Sequence, residues 1–216
     1  MKHSKETSMV TIWGRANSVN VQKVLWLCEE LALPYERIDA GMQHGRTKDA
    51  EYLAMNPNGR VPTLVDGDFT LWESNSILRY LVLEYGGVTS LYPSAPKTRA
   101  SIDRWLDWTL STLGPAERTL FVAVVRTAPD QRDLEAVHAD LRGVAVHWSM
   151  LDKYLSGKRW VEGREFSLAD LVLGTFARRW FGLEGIERPL LPSLANWYER
   201  LGSRAGFQKH VALPLS

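Results

Sequence analysis

Ser18 and Asn20 stand in a polar turn, "GRANSVN" (14–20), between an apolar run and a stretch with helical spacing. A strand that turns into a helix leaves N–H groups pointing outward at the helix start. The helix dipole favours negative charge there. Short hydroxyl and amide side chains at that place can donate to an anion, or can simply cap the helix. A second cluster is "GRVPTL" (59–64) followed by "WESNSI" (72–77). Pro62 follows Val61 at the start of a strand, where an X–Pro bond can be cis. A cis bond would turn the Val61 N–H and C=O outward, towards a peptide-like ligand. Glu73 and Ser74 close a strand and open a helix. An acid suits an ammonium, and a hydroxyl beside free N–H groups suits a carboxylate, so the pair fits an amino-acid head group as well as a helix cap.

Other chemistry is missing from the sequence. It has no G-x-G-x-x-G, Walker A, C-x-x-C, H-E-x-x-H or G-x-S-x-G pattern. Five histidines are scattered without ligand spacing, so no metal is expected. The lone cysteine, Cys28, lies on the apolar face of a helix and reads as a small buried hydrophobe.

These residues need a frame. "MVTIW" (9–13) reads as a strand, and Val19 to Ala32 as a helix with Val21, Val24, Leu25, Cys28 and Leu31 at helical spacing. "YERIDA" is a strand, "GMQHGRTK" a polar loop and "DAEYLAM" a short helix ended by "NPNGR". "VPTLVDGDFTLW" is a hairpin around "DGD", and "ESNSILRYLVLEY" a helix. The order β-α-β-α-β-β-α fills 9–85. "GGVTSLYPSAPK" (86–97), rich in Gly, Pro and Ser, reads as a linker. Helical periodicity dominates 98–216. In "EFSLADL", Ser167 takes an N-cap, Asp170 the N3 position of a capping box, and Phe166 a staple position against Leu171. The chain is therefore expected to be an α/β unit followed by an all-α one.

The 216 residues carry a net charge of +1, 45% hydrophobic and 24% charged residues. That balance argues for neither nucleic acid nor a membrane surface as partner. The polar opening "MKHSKETS" lacks a signal-peptide core, no run is long enough to span a bilayer, and one cysteine suits a reducing compartment, so a cytoplasmic protein is expected.

In series, "NPNGRVPTL", "LWESNSILRYL" and "FSLADL" resemble the cytosolic glutathione transferases over nearly the whole chain from Met9, with bacterial theta- and beta-like members the nearest pattern. The resemblance implies a thioredoxin-like glutathione domain, an all-helical second domain, glutathione as co-substrate, a role in detoxification and a homodimer. It places Val61, before a cis Pro62, against the cysteinyl backbone of glutathione, and Glu73 and Ser74 at its γ-glutamyl end. Arg60 and His44 would reach the tripeptide. The family's activating tyrosine or cysteine has no match here: the first tyrosine is Tyr35, and Ser18 holds the place of the cysteine. Ser18 is the first choice and Asn20 the second as donor to the glutathione sulfur, while Arg15 reads as a solvated loop arginine. Trp108, Thr112, Arg179, Trp180 and Phe181 are candidates for the wall around a small hydrophobic electrophile. Two other activities fit the same pattern: glutathione-dependent reduction of disulfides or peroxides, and glutathione binding without turnover in a stress or interaction protein.

Overall fold

The computed structural model describes residues 9–87 and 89–216; the opening tail and Val88 lie outside them. Strand β1 (Val10–Trp13) leads through helix α1 (Val19–Glu30) to β2 (Tyr35–Ile38). A 3-10 turn at Met42–His44 and helix α2 (Ala50–Met55) precede β3 (Thr63–Asp66) and β4 (Phe69–Trp72). The sheet order is β2-β1-β3-β4. β1 runs parallel to β2, Val10 facing Tyr35, and antiparallel to β3, Ile12 facing Leu64; β3 and β4 form the expected hairpin. Helix α3 (Ser74–Tyr85) completes this thioredoxin-like unit and packs with α1.

The rest is helical: α4 (Pro96–Trp108), α5 (Gly114–Phe121), α6 (Leu134–Leu155), α7 (Leu168–Gly182), α8 (Pro192–Gly202) and α9 (Ala205–His210). α4 starts within the segment read as linker, because Pro96 suits the first helical turn, where an N–H has no partner to lose. Two widened π turns, Thr109–Leu113 and Val122–Arg126, bracket α5. The sequence around the first is "LSTLGPAE". Pro115 has no N–H to give and its ring crowds the preceding turn, so the helix expands there. Gly114 is the residue that tolerates this, since a Cβ on it would lie 2.7 Å from the Thr109 carbonyl oxygen.

α1 joins the halves. Trp26, fully buried, lies 5.5 Å from the Phe166 ring and 5.2 Å from the Phe207 ring. Its Nε1–H donates to Glu30, whose carboxylate also takes the Arg204 guanidinium. At the head of α7 the Ser167 N–H donates to Asp170 Oδ2 at 3.0 Å, as the capping box requires, and the Ser167 hydroxyl donates to the same oxygen. Asp170 Oδ1 accepts from the Val161 N–H and the Trp197 indole, both at 2.8 Å. One buried carboxylate thus ties the loop before α7, α7 itself and α8 together. Phe166 sits 5.5 Å from the Trp160 ring as well as against Trp26.

Candidate functional site

The turn after β1 is held from both sides. The Gly14 N–H donates to the Ile38 carbonyl at 2.8 Å and the Arg15 N–H to the Ala40 carbonyl at 3.1 Å, while Arg37 Nη1 donates to the Gly14 carbonyl. The turn then feeds α1. The first intrahelical bond is Gln22 N–H to the Ser18 carbonyl, so the N–H groups of 19–21 precede the ladder. Ser18 occupies the N-cap, yet its hydroxyl makes no capping bond and has no partner among the described residues. The side chain is almost wholly buried and borders a cavity of about 780 Å3.

Across that cavity lies the segment before β3. The Tyr52 hydroxyl and the Asn56 amide both donate to the Arg60 carbonyl, at 2.7 and 2.8 Å, and both also contact the Thr63 hydroxyl. "NPNGRVPTL" is thereby a pinned loop with a cis Val61–Pro62 bond, and it presents Arg60 and Val61 to the cavity.

Asn20 is more engaged than Ser18. Its Oδ1 accepts from Lys23 Nζ at 2.9 Å and from the Ser74 hydroxyl at 3.4 Å. Lys23 also donates to Asn75 Oδ1 at 3.4 Å, and Asn75 Nδ2 donates to the Leu106 carbonyl. This chain of bonds links the starts of α1 and α3 to α4. Glu73 precedes α3 at a positive φ of 71°, exposed, with no capping bond from its side chain. Neither Ser18 nor Glu73 is therefore spent on its own helix.

Lys23 is fully buried, with its ammonium 5.0 Å from the Phe176 ring centroid. Burial pushes its pKa down to about 7, Arg179 acts in the same direction, and Glu73 and Glu117 oppose. Glu117 on α5 is also fully buried, and neither carboxylate oxygen has a hydrogen bond among the described residues. Burial pushes its carboxyl up to about 8 against the pull of Arg179 and Lys23. Lys23 and Glu117 belong to none of the motifs that mark the site in the sequence, and Asn75 stands inside "WESNSI" with no signal of its own. A signal for Lys23 was available: Val19, Lys23 and Leu27 recur every four residues, which puts a lysine on a buried stripe.

Of the residues expected at the site, Ser18, Asn20, Arg60, Val61 and Arg179 border this cavity. Ser74 is bonded to Asn20 at its edge. His44 does not border it; it is exposed, with Nε2 3.6 Å from Asp39. Four wall assignments need correction. Trp108 turns to the Trp105 and His147 rings, Trp180 is fully buried beside Trp148, and Thr112 pairs with Ser111. Phe181 stacks on Tyr198, away from the cavity. The π turn shifts the helix phase, so Thr109 and Leu110 face the cavity in place of Trp108 and Thr112. Arg15 is corrected too: it borders the cavity, and its Nε is buried without a partner. Cys28 is free and buried, its thiol pushed up to about 12 chiefly by burial. No group of three or more His, Cys, Asp or Glu able to hold a metal occurs among the described residues.

The family model for the glutathione S-transferase N-terminal domain matches residues 8–82, and that for the C-terminal domain matches 103–205. The chain belongs to the glutathione S-transferase family. It is 42% identical to the glutathione S-transferase GstB of Escherichia coli K12 over 96% of this chain and 100% of that one. It is 30% identical to glutathione S-transferase 1 of Manduca sexta over 94% and 93%. Among solved structures it superposes on the theta class glutathione S-transferase of Xanthomonas axonopodis pv. citri, which has glutathione bound, with a TM-score of 0.91 and 44% identity, covering 96% and 99%. The fold of this transferase is thus the one the residues led to, a thioredoxin-like unit followed by a helical one.

Proposed function

We propose that this glutathione S-transferase activates glutathione with the Ser18 hydroxyl, and that the thiolate attacks an electrophile held in the cavity shared with α5 and α7. The observation that carries the reading is a hydroxyl at a helix start, bordering the cavity and without a hydrogen-bond partner among the described residues. Asn20 has its oxygen committed to Lys23 and Ser74, so it would donate through its amide N–H groups as the second donor, held in place by the buried ammonium. A free thiol has a pKa of about 8.5. Lowering it by about two units needs about 2.7 kcal/mol of preference for the thiolate, and one hydrogen bond to a charged group contributes about 1.5–3 kcal/mol. One serine at a helix start is therefore enough in magnitude, with no metal and no general base.

Val61 would pair with the cysteinyl backbone, Glu73 and Ser74 would hold the γ-glutamyl end, and Arg60 would reach the tripeptide. His44, turned to Asp39, would join only by moving. The thioredoxin-like unit would span 9–85 and the helical one 98–216, joined through 86–97. A homodimer acting in the cytosol on electrophiles to be detoxified completes the reading; no helix of the described residues is long and apolar enough to cross a membrane. The test is the ultraviolet absorbance of bound thiolate. Ser18→Ala should lower it by on the order of 10-fold in thiolate fraction at neutral pH, while Asn20→Ala should lower it less. An unchanged signal in Ser18→Ala removes the hydroxyl from the mechanism.

A further inference from the structure

Among the described residues five arginines border the cavity, Arg15, Arg60, Arg118, Arg126 and Arg179, and no aspartate or glutamate does. Elsewhere arginines find acceptors: Arg37 on Asp39, Arg79 on Asp103, Arg204 on Glu30. None of the five at the cavity has an ion pair, or a hydrogen bond from its guanidinium, among the described residues. Arg126 and Arg179 place their guanidinium carbons 5.4 and 4.1 Å from the centroid of one ring, Phe121. Burial lowers the pKa of Arg179; Glu117 opposes, and Arg126, Arg15 and Arg118 lower it further. Glu117, behind the wall, is held largely protonated by its burial, and its oxygens accept no hydrogen bond among the described residues, so it is a poor counter-ion for them. Like charges gathered without counter-ions repel, and they settle when an anion arrives.

We propose that the electrophile taken by this transferase carries a carboxylate beside its apolar reacting part, and that Arg126 and Arg179 bind that carboxylate over the Phe121 ring. The proposal rests on the transferase reading above. Arg118, Arg126 and Arg179 all come from the helical unit, opposite the Ser18 and Val61 wall assigned to glutathione. Leu110, Phe121, Val122 and Phe176 supply the apolar lining between the two. The reaction then balances simply for a carboxybenzyl halide. The glutathione sulfur forms a bond to the benzylic carbon, the carbon–halogen bond breaks, the halide leaves with the electron pair, and the carboxylate is unchanged. The arginines also offset the repulsion between that carboxylate and the thiolate.

The test titrates the full-length protein with two conjugates, S-(4-carboxybenzyl)glutathione and its carboxamide, and with glutathione alone. The carboxylate should bind on the order of 10-fold or more tightly than the amide, and the advantage should weaken as salt rises. Arg126→Gln and Arg179→Gln should each shrink the ratio, and Arg126→Lys should keep part of it. Arg126 is exposed, so its variants keep the test open even if loss of Arg179 beside Glu117 disturbs folding. Equal affinity for the two conjugates in the wild type overturns the proposal, as does a ratio that survives both glutamine variants. If the variants weaken glutathione itself as much as the carboxylate conjugate, the arginines serve the tripeptide and the proposal falls. Failure of glutathione and both conjugates to bind the wild type is a separate result, which removes the transferase reading and the proposal with it.

Discussion

Lys23 and Glu117 are a base and an acid buried in the same region with different company. Lys23 has two amide oxygens and an aromatic ring; the Glu117 carboxyl oxygens have no hydrogen bond among the described residues. A carboxylate without donors in such a place is held neutral by preference. Its folded-state pKa of about 8 lies above its ordinary 4.5. Between those values the folded chain keeps a proton that the unfolded chain has released, so stability falls as pH rises. Lys23 acts in the opposite sense, but only above about pH 7. Between about pH 5 and pH 7, urea denaturation of Glu117→Gln should therefore show a flatter pH dependence than the wild type, by up to about 3 kcal/mol. Identical slopes in the two proteins would mean that Glu117 is ionised and solvated in the folded state.

At the scale of elements, the close approach of α9 to α1 rests on a missing side chain. A Cβ on Gly206 would lie 2.5 Å from Trp26 Cδ1 and 3.1 Å from Glu29 Cβ. Alanine is the better helix former by about 1 kcal/mol, but overpacking a rigid indole costs about 1–3 kcal/mol. Gly206→Ala should lower the melting temperature by a few degrees; a higher melting temperature would show that α9 slides freely over Trp26. Such contacts mark the limit of what the sequence discloses. Strands, caps and the pinned "NPNGRVPTL" loop were legible because their causes are local: β-prone runs, an Asp three residues after a Ser, a Pro after a Val. The wall residues were not, because the direction of a side chain depends on helix phase. Gly114 and Pro115 alter that phase between Trp108 and Phe121. Arg15 was misread for a related reason: a loop arginine looks solvated until the second unit covers it.

For the molecule as a whole, the two halves share one interior. Trp26 from the first half lies against Phe166 and Phe207 of the second, Arg204 reaches Glu30, and Arg79 donates to Asp103 at 2.7 Å. A half that unfolded alone would expose the indole and leave Lys23 without Phe176. Unfolding in urea should therefore be one transition, with tryptophan fluorescence and far-ultraviolet circular dichroism coinciding. Two separated midpoints would show that the halves are independent.

The widened turns flanking α5 also make the electrical character of the cavity a matter of counting. Glu117 and Arg118 are neighbours about 100° apart around one helix, the first facing inward and the second bordering the cavity. One residue added to Thr109–Leu113 would carry Glu117 into the place Arg118 now holds; one removed would bring Thr119 there and drive Arg118 into the interior. A change of length, with no substitution at all, would replace one of the arginines at the cavity and weaken its attraction for anions. New specificities in this scaffold can thus arise by insertion and deletion as readily as by exchange of side chains.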